Sequence, residues 1–267
     1  SAARFVIQAG LLLPLAALMG WLHRPGWREM RHHLIRAALI LVATGLFVQA
    51  IRTMPLADAI AIFFVEPFIL TLMGGVFLGE AIGPRRIIAC LVGFGGALLI
   101  IKPSFAAFGP VAMLPLGTAA LFAVYMVLTR RMAKAMHPVT LQAYTALAAV
   151  ALVVPLLWLF DGSANSLLDP AWPDARALML LAGVGVAATV SHLFISFALS
   201  LAPASIIAPL QYLEIVSATA LGYLIFSDLP DGLTFAGIAI IVASGLYIFT
   251  RERAQERILA RSATPAV

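Results

Sequence analysis

Charge is scarce in this chain. Asp, Glu, Lys and Arg together make up 11% of its 267 residues, 63% are hydrophobic, and the mean hydropathy is +1.04. Water-soluble domains carry about a quarter charged residues, so a soluble globular domain is excluded. Cysteine is nearly absent: Cys90 stands alone, which rules out an internal disulfide and gives no cysteine spacing for a metal site. Catalytic signatures are also missing. The chain has no HExxH, no Asp-rich diphosphate motif, no P-loop and no Gly-x-Ser-x-Gly elbow. Polar residues inside the apolar runs are too few and scattered for a nucleophile with an acid–base pair. Neither an enzyme nor a metal or cofactor is expected. The net charge of +5 would suggest nucleic acid in a soluble protein. Here the positions of the charges matter more than their sum, and no nucleic-acid partner is expected.

What the chain does have is long apolar runs, too many for a signal peptide to explain. A bilayer core of about 30 Å needs about 20 residues of helix. The runs are continuous rather than alternating, so helices are expected and not a barrel. They predict nine spans, at about 1–22, 34–51, 56–78, 85–102, 108–129, 138–160, 177–199, 203–226 and 233–250. The expected fold class is an all-α membrane protein, a polytopic helical bundle. Assigning loops alternately, one side collects Arg24, Arg28, Arg31, Arg36, Arg85, Arg86, Arg130, Arg131, Lys134, Arg251, Arg253, Arg257 and Arg261. The other holds Arg4, Arg52, Lys102 and Arg176. The first side is therefore expected to be cytoplasmic, with the C-terminus, and Ser1 to lie outside. Asp161, Asp169, Asp174, Asp228 and Asp231 fall on the outer side. The arginine clusters read as topological anchors. Lipid headgroups are a second partner for "RPGWREMRHH" and "RERAQER".

Shifting the sequence by 148 residues reveals a repeat. Pro55 meets Pro203, Glu66 meets Glu214, Thr71 meets Thr219, Gly74 meets Gly222 and Glu80 meets Asp228. Matched acids and prolines are hard to obtain by chance in apolar sequence. The 56–78 and 203–226 copies run in opposite directions through the membrane, as they must if each repeat holds an odd number of helices. The second repeat has five. The first shows four, so a further helix is expected before Ser1, ten in all. The expected division is 1–103 for the first repeat, 104–250 for the second and 251–267 for a basic tail.

Inverted repeats around a midplane site are the mark of secondary transporters. Glu66 and Glu214 lie near the centres of their spans, where an ionised carboxylate costs several kcal/mol unless paired or hydrated. Apolar surroundings favour the protonated form, so each could be neutral in one state and charged in another. Three readings stand: both line a transport cavity, both are protonated hydrogen-bonders between helices, or one is functional and the other vestigial. Gln49, Tyr125, His192, Gln211 and Tyr212 are further candidates. A planar solute could stack on Tyr125 or Tyr212 and be fixed by the amides; equally, these groups could bond neighbouring helices. His192 could relay protons or pack. Pro67 and Pro209 are expected to kink their helices. Gly75 with Gly79, and Ala218 with Gly222, are expected to let helices approach. Phe63, Phe64 and Phe68 read as cavity lining or lipid contact.

Four stretches resemble the drug/metabolite transporter superfamily, specifically EamA-type ten-helix transporters. They are "LFVQAIRTMPLADAIAIFFVEPFILTLMGGVFLGE" at 46–80, "GPRRIIACLVGFGGALLIIKP" at 83–103, "LGTAALFAVYMVLTRRM" at 116–132 and "APASIIAPLQYLEIVSATALGYLIFSD" at 202–228. The resemblance implies five-plus-five inverted topology and a central cavity lined by both repeats. "PLADAIAIFFVEPFILTL" resembles a subgroup labelled for S-adenosylmethionine or riboflavin uptake. The function expected is secondary transport of a small organic metabolite, coupled to protons or to exchange. A channel or a membrane-embedded assembly partner is the alternative.

Overall fold

A computed structural model describes residues 2–54, 56–80, 82–101, 109–161 and 173–214, with scattered positions between 217 and 250. Among the described residues the chain is helical, without strands. The expectations placed on Lys102, Asp169, Ala218, Thr219, Gly222, Asp228, Asp231 and the 251–267 tail lie outside the described residues, as does much of 212–226 and 233–250. The helices are α1 (Ala2–Leu18), α2 (Trp27–Ile51), α3 (Leu56–Phe63), α4 (Glu66–Leu78) and α5 (Pro84–Ile101). A 3₁₀ turn, Gly109–Ala112, leads into α6 (Met113–Ala133), followed by α7 (Pro138–Leu159), α8 (Ala175–Leu201) and α9 (Ala204–Gln211).

Four described helices are long and apolar enough to cross a membrane: Trp27–Ile51, Gly109–Ala133, Pro138–Leu159 and Ala175–Leu201. The expected span at 56–78 is divided. α3 ends at Phe63, Val65 closes a tight bond onto Ile62 O (3.2 Å), and α4 restarts at Glu66. Pro67 causes this, because it has no N–H to give the carbonyl four residues back. α9 ends at Gln211, before a turn at Tyr212, and Leu213 and Glu214 are again helical. α3 and α9 thus start and stop at positions related by the 148-residue shift, and an acid lies within two residues after each interruption.

The helices sort into two compact units. One comprises residues 1–45 and 124–201, the other 46–123 and 202–267. Each therefore takes segments from both sides of residue 103. In the first unit α1 packs on α7 and α8, and α7 packs on α8. Leu12 and Ala16 meet Val139 and Ala143 at its centre. Small residues permit this approach: a Cβ on Gly185 would lie 2.5 Å from Ile7 Cδ1. α7 is capped by His137, whose Nδ1 accepts from Val139 N, with Pro138 next in sequence. Asp174 Oδ1 caps α8 by accepting from Ala177 N at 2.7 Å.

In the second unit α9 packs on α4, and α5 packs on α3 and α4. Gly75 is a packing position, since a Cβ there would meet Ile82 Cδ1 at 2.4 Å. Gly79 is not. It ends α4 in the left-handed conformation (φ +65°) with open space around it, so it serves as a C-cap rather than the second half of a small-xxx-small pair. The next residue, Glu80, reaches α9: its two carboxyl oxygens accept from Ala204 N and Ser205 N, both at 2.9 Å. Two orphan donors and the positive end of the helix dipole are thereby satisfied by one acid. Glu80→Ala is expected to cost about 2 kcal/mol, the range of charge-assisted hydrogen bonds, and to lower the melting temperature in detergent by about 4–8 °C. Gly74→Ala should act in the same direction, because its Cβ would sit 2.9 Å from Glu80 Oε2.

Candidate functional site

Five of the seven expected site residues fall into two buried polar clusters, one in each unit; Glu214 and Gln49 do not. The cluster in the second unit centres on Glu66, the first residue of α4. Its side chain is 0% exposed and neither carboxyl oxygen has a hydrogen-bond partner among the described residues. Gln211, at the end of α9, approaches the carboxyl, yet its Nε2 also lacks a partner. Tyr212 is buried beside them with an unpartnered hydroxyl. Its ring lies 6.2 Å from that of Phe64, its repeat equivalent, and against Gly93, where a Cβ would be 3.1 Å from the ring edge. Thr71 Oγ1 meets Cys90 Sγ at 3.3 Å on the neighbouring helix.

Four buried polar atoms thus converge without satisfying one another, although buried polar groups are ordinarily paired. An amide donor, a phenol and a carboxyl that can donate or accept, depending on its protonation, are the equipment for gripping a polar solute or a proton. Glu214 differs from its counterpart. It is exposed, while Glu66 is sealed. Gln49 is half-buried on α2, and its Oε1 has no partner among the described residues. The three phenylalanines pack within the unit: Phe64 on Tyr212, Phe63 on Phe47 and Phe122, and Phe68 stacked on Phe94 at 5.7 Å.

The cluster in the first unit brings Tyr125 and His192 together, their rings 6.1 Å apart. His192 Nδ1 bonds Ala188 O at 2.9 Å. Their hub is Gln142, on α7. It contacts Gln8 (3.1 Å), Tyr125 OH (3.1 Å from Nε2), His192 O (3.1 Å) and Ser196 Oγ. Polar side chains inside apolar runs were the available signal for Gln8 and Gln142, but neither stands near an acid to draw notice.

Arg36 requires a correction. Grouped with the arginines that anchor a membrane boundary, it is instead 0% exposed inside α2. It donates to Leu141 O (3.3 Å), Thr145 Oγ1 and Tyr125 OH (3.1 Å), and its guanidinium lies 4.8 Å from the centre of the Tyr125 ring. The cause is where the helix starts. α2 begins at Trp27 rather than 34, so Arg36 stands nine residues in, about 14 Å along the axis. Arg130 is likewise not a free anchor; it is buried and donates to Leu199 O and Ser200 O at the end of α8. Tyr125, with a face taken by Arg36, is not an open stacking platform in this conformation.

The EamA-like transporter family model matches residues 1–102 and 109–250. A riboflavin transporter of Brucella anthropi is 28% identical over 95% of this chain and 88% of its own length. The pseudopaline exporter CntI of Pseudomonas aeruginosa is 33% identical over 79% of this chain and 70% of its own. A solved crystal structure shares the fold with a TM-score of 0.74 at 20% identity, covering 91% of this chain and 84% of the other. The long apolar helices and these matches together place the chain in the EamA-like transporter family, as an integral membrane protein that transports small molecules.

Proposed function

We propose that the chain is a secondary transporter of a small organic metabolite, and that Glu66 with Gln211 and Tyr212 is where solute or proton is held. The observation that carries this is the unsatisfied convergence at Glu66, where an interrupted helix of one sequence half meets its counterpart from the other. Interrupted helices at repeat-related positions are how secondary transporters place polar groups inside the bilayer. The matching ends of α3 and α9 support two inverted repeats, 1–103 and 104–250. The 13-to-4 division of Lys and Arg supports a cytoplasmic C-terminus, and bacterial relatives support an inner-membrane location. One relative is named for riboflavin and another for pseudopaline export; the substrate is taken to be a polar organic molecule of that size, with direction set by gradients.

The test is counterflow with purified protein in proteoliposomes, using labelled riboflavin, S-adenosylmethionine and amino acids, with and without a pH gradient. Vesicles preloaded with unlabelled solute should take up label faster than empty ones, and uptake should saturate. Steady single-channel currents with non-saturating flux would make it a channel. Flux no greater than in protein-free vesicles for every solute would leave the carrier reading without support.

A further inference from the structure

The first unit holds positive charge in its interior with no carboxylate paired to it among the described residues. Arg36 is wholly buried, and its Nε has no partner. Arg4, half-buried on α1, reaches Thr44 Oγ1 at 3.4 Å and lies over the Phe5 ring at 4.5 Å; its Nε is also buried without a partner. Both guanidiniums are close enough to His192 to act on it electrostatically, and Arg4 also to Tyr125. The acids described in this unit are engaged elsewhere. Glu29 sits at the start of α2 with His23 (2.8 Å) and His33 (3.8 Å). Asp174 caps α8 and Asp161 is exposed beyond α7. Among the described residues, no ion pair involves either arginine.

A buried charge without a counter-ion is strongly unfavourable in apolar surroundings, and two like charges in one neighbourhood compound it. The hydrogen bonds of Arg36 satisfy some of its donors but neutralise nothing. An anion would supply that neutralisation. Guanidinium forks match the planar oxygens of carboxylate and phosphate. We propose that Arg36 and Arg4 recognise an oxyanion group of the transported solute, a carboxylate or a phosphate. This rests on the carrier reading above, and adds the chemical class of the cargo.

The experiment measures thermal stability of the purified chain at constant ionic strength against rising inorganic phosphate, succinate, neutral succinamide, and phosphatidylglycerol in mixed micelles. Phosphate or succinate should stabilise the wild type saturably, succinamide should not, and the preferred anion tells phosphate from carboxylate. Arg36→Met should weaken the apparent affinity about tenfold or more, while Arg36→Lys, which keeps charge but loses the fork, falls between. Arg4→Gln should weaken it in the same direction. If Arg36→Met does not fold to a monodisperse species, Arg36→Lys and Arg4→Gln carry the test. The proposal is overturned if neither soluble anion stabilises the protein, if affinity survives unchanged in the folded variants, or if only the lipid depends on these arginines. Anion binding without counterflow would leave this site standing and remove the carrier reading; counterflow indifferent to both arginines would do the reverse.

Discussion

Uptake by the Glu66→Gln variant is expected to fall about tenfold or more, while Glu214→Gln stays within about twofold of the wild type. The two acids stand 148 residues apart within matching sequence, so sequence treats them alike. The structure does not: one is sealed with both oxygens unpartnered, the other exposed. Glutamine preserves the size of Glu66 and removes only its capacity to take and release a proton and to bear charge. Because the wild-type carboxyl has no close hydrogen-bond partner among the described residues, and Gln211 could approach an amide as it does the carboxyl, stability should hold or rise slightly. A tenfold loss corresponds to about 1.4 kcal/mol of lost stabilisation of the moving state, well inside the several kcal/mol at stake when charge changes in apolar surroundings. Initial uptake rates at matched protein, alongside melting curves, check this. Normal uptake in Glu66→Gln would remove the acid from the mechanism, and equal losses in both variants would refute the asymmetry.

The second large effect is on folding. Gln142→Leu should destabilise the protein by about 2–4 kcal/mol and lower its melting temperature in detergent by about 5–10 °C. Leucine fills a similar space but strands Gln8, Ser196, Tyr125 and the carbonyl of His192, which all bond the amide. Interhelical hydrogen bonds in membrane proteins average about 0.6 kcal/mol and reach about 1.7. Truncating one partner costs more than the bond's net worth, because the groups left behind remain buried. Four partners with incomplete additivity give the quoted range. A circular-dichroism melt displaced by less than 2 °C would show that the hub is slack. Leu152→Ala, at an exposed position on the same helix, provides the comparison and should move the melt little.

The helices were legible because hydropathy is additive along a chain. A run of 20 apolar residues announces a span whatever it touches. The repeat was legible too, since matched acids and prolines survive as a linear pattern. Pro67 announced a kink, and the kink divides the span beside Glu66. Arg36 was misjudged for a physical reason: its place relative to an interface depends on where α2 begins, and the seven residues from Trp27 to His33, rich in charge, look like loop when read alone. Gly79 was misread because only its backbone angle distinguishes a cap from a packing glycine.

The amino-acid order by itself determined that this chain lives in lipid, that it is helical, and that a pattern of acids, prolines and small residues recurs 148 positions apart. These follow from transfer free energies and local backbone chemistry, which depend on each residue and its neighbours. Tertiary structure alone decided which of the two acids is sealed, that Gln142 ties its own helix to three others, and that two interior arginines pair with no carboxylate among the described residues. Burial and pairing are relations among residues up to 155 positions apart, and the free energy of a polar group in a membrane is set by those distant partners.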